Sequence, residues 1–143
     1  MKKNFIRILS LVLVFVLMGA IFVACDKKDD KDDRKKDSAP NKDPKKAEED
    51  LKEAGYEAHL IEYDEVGEEG LKATLVASKG EDIVQIAYYD NKEAATKAYE
   101  TAKERYDAAK EIAEAAGVEY DMILKQAGTM VYMGTKQAVK DAK

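Results

Sequence analysis

Apolar residues fall along this chain in three regimes. They are almost continuous from Ile8 to Val23, nearly absent from Asp26 to Asp43, and recur at helical or strand spacing from Pro44 onward. The third regime predicts the fold. Asp43-Pro44 announces a helix, because the carboxylate can accept hydrogen bonds from free N–H groups and proline suits the first helical position. Ala47, Leu51 and Ala54 share one face of it, and Gly55 stands where a left-handed cap would end it. Residues 56–63 favour a strand and 64–70 form an acidic turn. Leu71 to Ser78 alternates Leu71, Ala73, Leu75 and Ala77 with Lys72, Thr74, Val76 and Ser78, the mark of a half-buried strand. After a turn at 79–82, Ile83 to Tyr89 predicts its hairpin partner.

Asp90 followed by Glu93 fits a capping box for the longest helix, which runs to about Ala116 before Gly117. Its predicted inner stripe is Ala95, Ala98, Tyr99, Ala102, Tyr106, Ala109, Ile112, Ala113 and Ala116, at three- and four-residue spacing. Tyr120 to Lys125 and Met130 to Met133 read as a second hairpin around Gln126-Ala127-Gly128. Thr135 then caps a short helix carrying Ala138, Val139 and Ala142. The expected fold class is α+β: a two-layer sandwich with a mainly antiparallel sheet of about five strands, in the order α-β-β-β-α-β-β-α. Its helices are expected on one face, since amphipathic helices need an apolar surface to cover. Glu53-Ala54-Gly55-Tyr56-Glu57 and Ala115-Ala116-Gly117-Val118-Glu119 echo each other at a helix-to-strand junction, too briefly to indicate duplication.

The first regime has a different character. Lys2, Lys3 and Arg7 precede the apolar run, Ala24 ends it as a small residue, and Cys25, the single cysteine, meets the charged tract DKKDDKDDRKKD. In these residues the N-terminus resembles a bacterial lipoprotein signal peptide, with Phe22-Val23-Ala24-Cys25 in the place of the lipobox. Phe22 departs from the leucine usual in that family, while Val23, Ala24 and Cys25 fit. The resemblance implies cleavage between Ala24 and Cys25, a diacylglyceryl thioether on Cys25, and often a further acyl chain such as palmitate on the new amine. At about 0.8 kcal/mol per buried CH₂, one chain binds a bilayer only marginally, whereas two or more hold a protein there. The division that follows is 1–24 signal peptide, 25–43 lipidated cysteine and charged flexible linker, and 44–143 a single small domain. An uncleaved single-span anchor is the alternative, because the run lies at the low end of the roughly 17–25 residues that span a bilayer. A plain secreted protein would leave Cys25 an odd unpaired thiol. Positive charge before the apolar run favours a cytoplasmic N-terminus and places the rest on the outer side of the membrane.

Charge narrows the partners. The whole chain carries −5, and losing the three bases of residues 1–24 leaves −8. Residues 26–45 hold seven acids and eight bases, so residues 46–143 carry 22 acids against 13 bases. A domain at −9 repels phosphate backbones, which excludes nucleic acid as a partner and leaves the lipid on Cys25 as the membrane contact.

Catalytic chemistry finds little support. His59 is the one histidine and falls in a predicted strand, so it reads as a surface or sheet-edge residue. Ser78, Thr74 and Thr129 lack a nucleophile-elbow context. Asp64, Glu65, Glu68 and Glu69 are oxygen ligands without the spacing of a calcium loop, and no metal or cofactor is expected. Eight tyrosines accompany no tryptophan, and Tyr63, Tyr89 and Tyr132 are candidates for an exposed stacking platform, against ordinary sheet packing. The expected function is a non-catalytic extracytoplasmic binding module for an envelope protein, peptide or wall component. The alternatives are a small hydrolase using carboxylates such as Glu62 or Asp64, and an accessory part of a transport or wall-associated complex. A ligand-enclosing solute receptor would need far more chain.

Overall fold

In the computed structural model, which describes residues 39–66 and 69–143, the first helix begins where Asp43-Pro44 predicts it. Ala24, Cys25 and the rest of the lipobox lie outside the described residues. The Asp43 carboxylate accepts from the N–H groups of Lys45 and Lys46 at 3.0 and 3.5 Å, and helix α1 spans Pro44–Glu53. It is followed by β1 (Glu57–Glu62), β2 (Leu71–Lys79), β3 (Asp82–Tyr89), α2 (Lys92–Ala115), β4 (Met122–Ala127), β5 (Met130–Thr135) and α3 (Lys136–Asp141). The five strands form one antiparallel sheet in the order β1-β2-β3-β5-β4, so the α+β class and the element order agree with the sequence.

The helices do not share one face. Opposed residues of an antiparallel pair point the same way, and the registers Leu75↔Ile86 and Ile86↔Tyr132 put these three side chains on a single face. There they join Ala47 and Leu51 of α1 and Ala138 and Val139 of α3 in the main core. Ala87↔Val131 and Leu124↔Met133 lie on the other face, under Ala95, Ala98 and Tyr99 of the long helix α2. The molecule is therefore three-layered, with α1 and α3 on one side and α2 on the other. The cause stands in β3 and β5 themselves. Ile83-Val84-Gln85-Ile86-Ala87-Tyr88-Tyr89 and Met130-Val131-Tyr132-Met133 are apolar at both parities, so both faces of these central strands require cover.

Three further differences are local. The N-cap of α2 is Asn91, whose side-chain oxygen accepts from Ala94 N–H at 2.8 Å, and Asp90 instead accepts from the Asn91 amide at 2.6 Å. The asparagine wins because its carbonyl sits one residue nearer the free N–H groups. Within the stripe expected for α2, Ala95, Ala102 and Ala113 are buried, whereas Ile112 is 69% exposed and Ala116 lies past the helix end in solvent. Strand β4 starts at Met122, since residues 118–121 serve as the connection.

The expected linker is also shorter at its far end. Ala39 packs on the main core, Pro40 is buried, Asn41 N–H donates to the Ala142 carbonyl at 2.8 Å, and the Tyr88 hydroxyl donates to the Asn41 carbonyl at 3.1 Å. Residues 39–43 thus belong to the folded body, held by a tyrosine that would otherwise be buried without a partner.

The echo noted in the sequence is a repeated cap. Gly55 (φ +90°) and Gly117 (φ +69°) each donate to the carbonyl three residues back, and Tyr56 and Val118 each to the carbonyl five back, the paired bonds of a Schellman motif. One ends α1 and the other ends α2. Lys79 Nζ reinforces the first, donating to Ala54 O at 2.6 Å and lying 5.5 Å from the Tyr56 ring centroid.

Candidate functional site

Tyrosine does not form the expected platform. Tyr63 is exposed beyond the end of β1, but Tyr89 is 9% and Tyr132 3% exposed, and they lie on opposite faces of the sheet, one under α2 and the other in the α1/α3 core. Each is used for packing. Burial, aided by the charge of Glu69, pushes the Tyr89 hydroxyl up to about 12, and burial likewise raises Tyr88 and Tyr56 well above the ordinary phenol. The Tyr56 hydroxyl donates to Asp141 at 3.0 Å, tying β1's approach to α3.

The carboxylates and His59 are equally dispersed. Glu62 pairs with Lys45 at 3.7 Å in solvent, Asp64, Glu65 and Glu69 are exposed, and Glu68 lies outside the described residues. His59 Nε2 stands 3.6 Å from Glu57, and its side chain is 72% exposed on the edge strand. Among the described residues no group of three or more His, Cys, Asp or Glu is placed to hold a metal ion, and no helix is long and apolar enough to cross a membrane.

One cavity of about 380 Å³ opens at the end of the sheet where β3 and β4 begin and β5 ends. Ile83 and Met122 supply its apolar lining, Tyr120 one wall, and Glu81, Asp82, Glu119 and Asp121 an acidic rim. Asp82 is engaged within the fold, accepting from the Thr135 hydroxyl at 2.8 Å, while Thr135 also caps α3 through Ala138 N–H. Neither Glu62 nor Asp64 lines this cavity.

The face of the sheet under α2 is covered unequally. Helix α2 packs on β3, β5 and β4. Its orientation about its axis is set by three contacts. Thr96 accepts from the Gln126 amide and the Tyr106 hydroxyl donates to the Met122 carbonyl, both on β4, while Ala94 abuts Gly70, which precedes β2. At 100° per residue, these contacts direct Ala98, Thr101, Arg105 and Ile112 toward the β2 side. Beyond that flank lies the same face of β1 and β2, on which Ile61 is exposed, Val76 half-buried and Thr74 buried. Register places Ile61 against Thr74, His59 against Val76 and Val76 against Gln85 on this face. Ile61 is 51% exposed there, and only Thr74 is buried among the polar side chains of the core.

Two polar groups on this side of the sheet stand out. The Gln85 Oε1 and Arg105 Nη1 atoms are buried without a hydrogen-bond partner. Arg105 makes no ion pair among the described residues, unlike Lys97, Lys103 and Lys110 of α2, which pair with acids four residues away. Both were visible in the sequence as exceptions. Gln85 is the one amide in an apolar run, and Arg105, the only arginine after Arg34, flanks the alanine stripe. On α1, the Lys52 ammonium holds the Glu48 carboxylate below its ordinary pKa.

Compared with protein families, with curated proteins and with solved structures, the chain shows no significant match.

Proposed function

We propose that this chain is an extracytoplasmic lipoprotein, held on a membrane through acyl chains on Cys25, whose folded domain binds a partner and does not transform a substrate. The observation that carries the reading is the placement of the single cysteine, between an apolar run closed by Ala24 and a tract of mixed charge. The folded body supports a binding role by its unequal cover: a sheet built with one fully packed face and one partly open face offers a surface without any helix of its own above β1. The dispersal of His59, Glu62 and Asp64 to separate, solvent-exposed positions weighs against a carboxylate hydrolase, which needs two groups converging on a cleft.

The test is the intact mass of the membrane-extracted protein beside its Cys25→Ala variant. Mass matching residues 25–143 plus acyl chains, absent from the variant, is the expected result. A full-length unmodified mass would overturn the anchor and leave Cys25 as the end of a membrane-spanning helix.

A further inference from the structure

The sheet ends at β1 on one side and at β4 on the other, and among the described residues β4 pairs with β5 alone. We infer that the free edge of β4 recognises a second copy of this chain. Two β4 strands join antiparallel about a two-fold axis at Ile123, with Asp121 of each copy opposite Lys125 of the other.

Register decides which backbone groups the edge offers. Ala127 faces Met130 across the turn at Gly128-Thr129, and the Tyr89 N–H donates to the Thr129 carbonyl at 2.8 Å. Val131 and Met133 therefore bond toward β3, while Met130, Tyr132 and Gly134 bond toward β4. Their partners in β4 are Ala127, Lys125 and Ile123, so Met122, Leu124 and Gln126 turn their main-chain groups outward. Those of Leu124 take no partner among the described residues, and the Met122 carbonyl, which accepts from the Tyr106 hydroxyl, keeps a second lone pair. Such an edge is a template for one more strand.

Side chains choose the strand. Antiparallel pairings that join these outward groups and centre within β4 set Lys125 opposite Asp121, Ile123, Ala127 or the other copy's Lys125. One of the four makes an ion pair, and two-fold symmetry repeats it on the far side of the axis. In that register Met122 faces Leu124 on the α2 side, apolar against apolar, and Ile123 meets its own copy on the side of α1 and α3. A lysine on an edge strand ordinarily keeps sheets apart, so Lys125 admits this register and resists the rest. The other edge has no such match: the ionised side chains of β1, Glu57 and Glu62, are both acids, and a second β1 would bring more of the same.

Symmetry agrees with the path of the chain. A two-fold axis relating antiparallel strands stands perpendicular to the sheet, so both copies keep α1 and α3 on one side and α2 on the other. Each chain enters its folded body on the α1/α3 side, where Ala39 packs on the main core and Asn41 meets Ala142. Both tethers thus leave the same side of the dimer, which suits two chains held on one membrane and raises their effective concentration there. The pairing goes beyond the binding-module reading and does not depend on the anchor.

The experiment is sedimentation equilibrium of the full chain in density-matched detergent, from micromolar to millimolar concentration. The wild type is expected to form a dimer, with the Leu124 amide protected from hydrogen exchange in the dimer and open to it in the monomer. Asp121→Lys and Lys125→Glu each set like charges opposite one another, and each should weaken association at least about tenfold while leaving the thermal midpoint near that of the wild type. Mixed in equal amounts the two variants should associate again, because their altered positions then complement each other. A monomer at every concentration, a dimer indifferent to both substitutions, or a mixture no tighter than its components would each overturn the inference. Growth past the dimer would assign β4 to head-to-tail pairing with β1 and do the same. Should either variant fail to fold, the concentration dependence of Leu124 protection in the wild type decides. The intact mass keeps the two claims apart: an edge-paired dimer without acylation would sink the anchor alone, and an acylated monomer would sink the edge pairing alone.

Discussion

The two faces of this sheet are built from the same strands and finished differently. On one, α1 and α3 seal a core in which Leu51, Leu75 and Ile86 have no exposed surface. On the other, a single helix covers β3, β5 and β4 and leaves Ile61 and Val76 partly in solvent. The difference teaches that stability and availability for binding are divided between faces. A side chain in the sealed face is held by neighbours on all sides, and one on the open floor loses little when removed.

Leu75→Ala tests the sealed face most severely and should cost about 3 kcal/mol in urea denaturation, from lost burial plus the cavity left among α1, β2 and β3. A loss near zero would mean that this face is not the core. Alkali probes both faces over β3, where Tyr88 and Tyr89 point in opposite directions. A phenol whose folded pKa lies above its unfolded value stabilises fully below pH about 10, and that contribution is lost as pH rises through the folded value. For Tyr89, raised to about 12, stability should fall between pH 10 and 12 by roughly 2–3 kcal/mol, and Tyr89→Phe should flatten the fall in a pH series of melting curves.

Gly134→Ala sharpens the contrast at the centre of the sheet. A Cβ there would stand 2.5 Å from the Ile83 carbonyl oxygen and 2.8 Å from the Val84 Cα, both backbone atoms with no room to yield, so the variant should lose about 2 kcal/mol. Asn91→Ala removes the cap of the helix that covers the open side and should cost about 1 kcal/mol, more than Asp90→Ala, which decides between the two capping residues. Smallest of all, Ile61→Ala on the exposed floor should change stability by no more than about 0.5 kcal/mol. A loss comparable with that of Leu75→Ala would show that the floor is part of the core and abolish the comparison.

Much of the fold was legible because its signals are local. Asp43-Pro44, Gly55, Gly117 and Thr135 each act within a few residues of the helix end they define, and the alternation places Ala73, Leu75 and Ala77 in the main core, although a bulge after Leu71 turns that residue to the other face and Thr74 is buried there too. The errors share a cause as well. Asp90 and Asn91 both have capping side chains, and only the path of the chain out of β3 selects between them. Tyr89 and Tyr132 were candidates for exposure because tyrosine suits either surface or core, and which neighbours arrive above them is not written in their own segments. Arg105 and Gln85 were unusual in their runs, but the burial of both polar groups appears only when α2 is laid across the sheet.

By itself the sequence determined the order of elements, the antiparallel hairpins, the helix ends and the acidic charge of the body, because hydrogen-bond capping, side-chain periodicity and ionisation act over short stretches of chain. It also determined the arrangement around Cys25 on which the anchor reading stands. Tertiary structure alone decided which face each helix covers, that residues 39–43 dock beside Ala142 and Tyr88, and that β1 and β2 keep an open side. Those outcomes depend on competition among distant apolar surfaces: β3 and β5 needed cover on both faces, and the one long helix that lies on the second face is placed over β3, β5 and β4 and leaves the floor of β1 open.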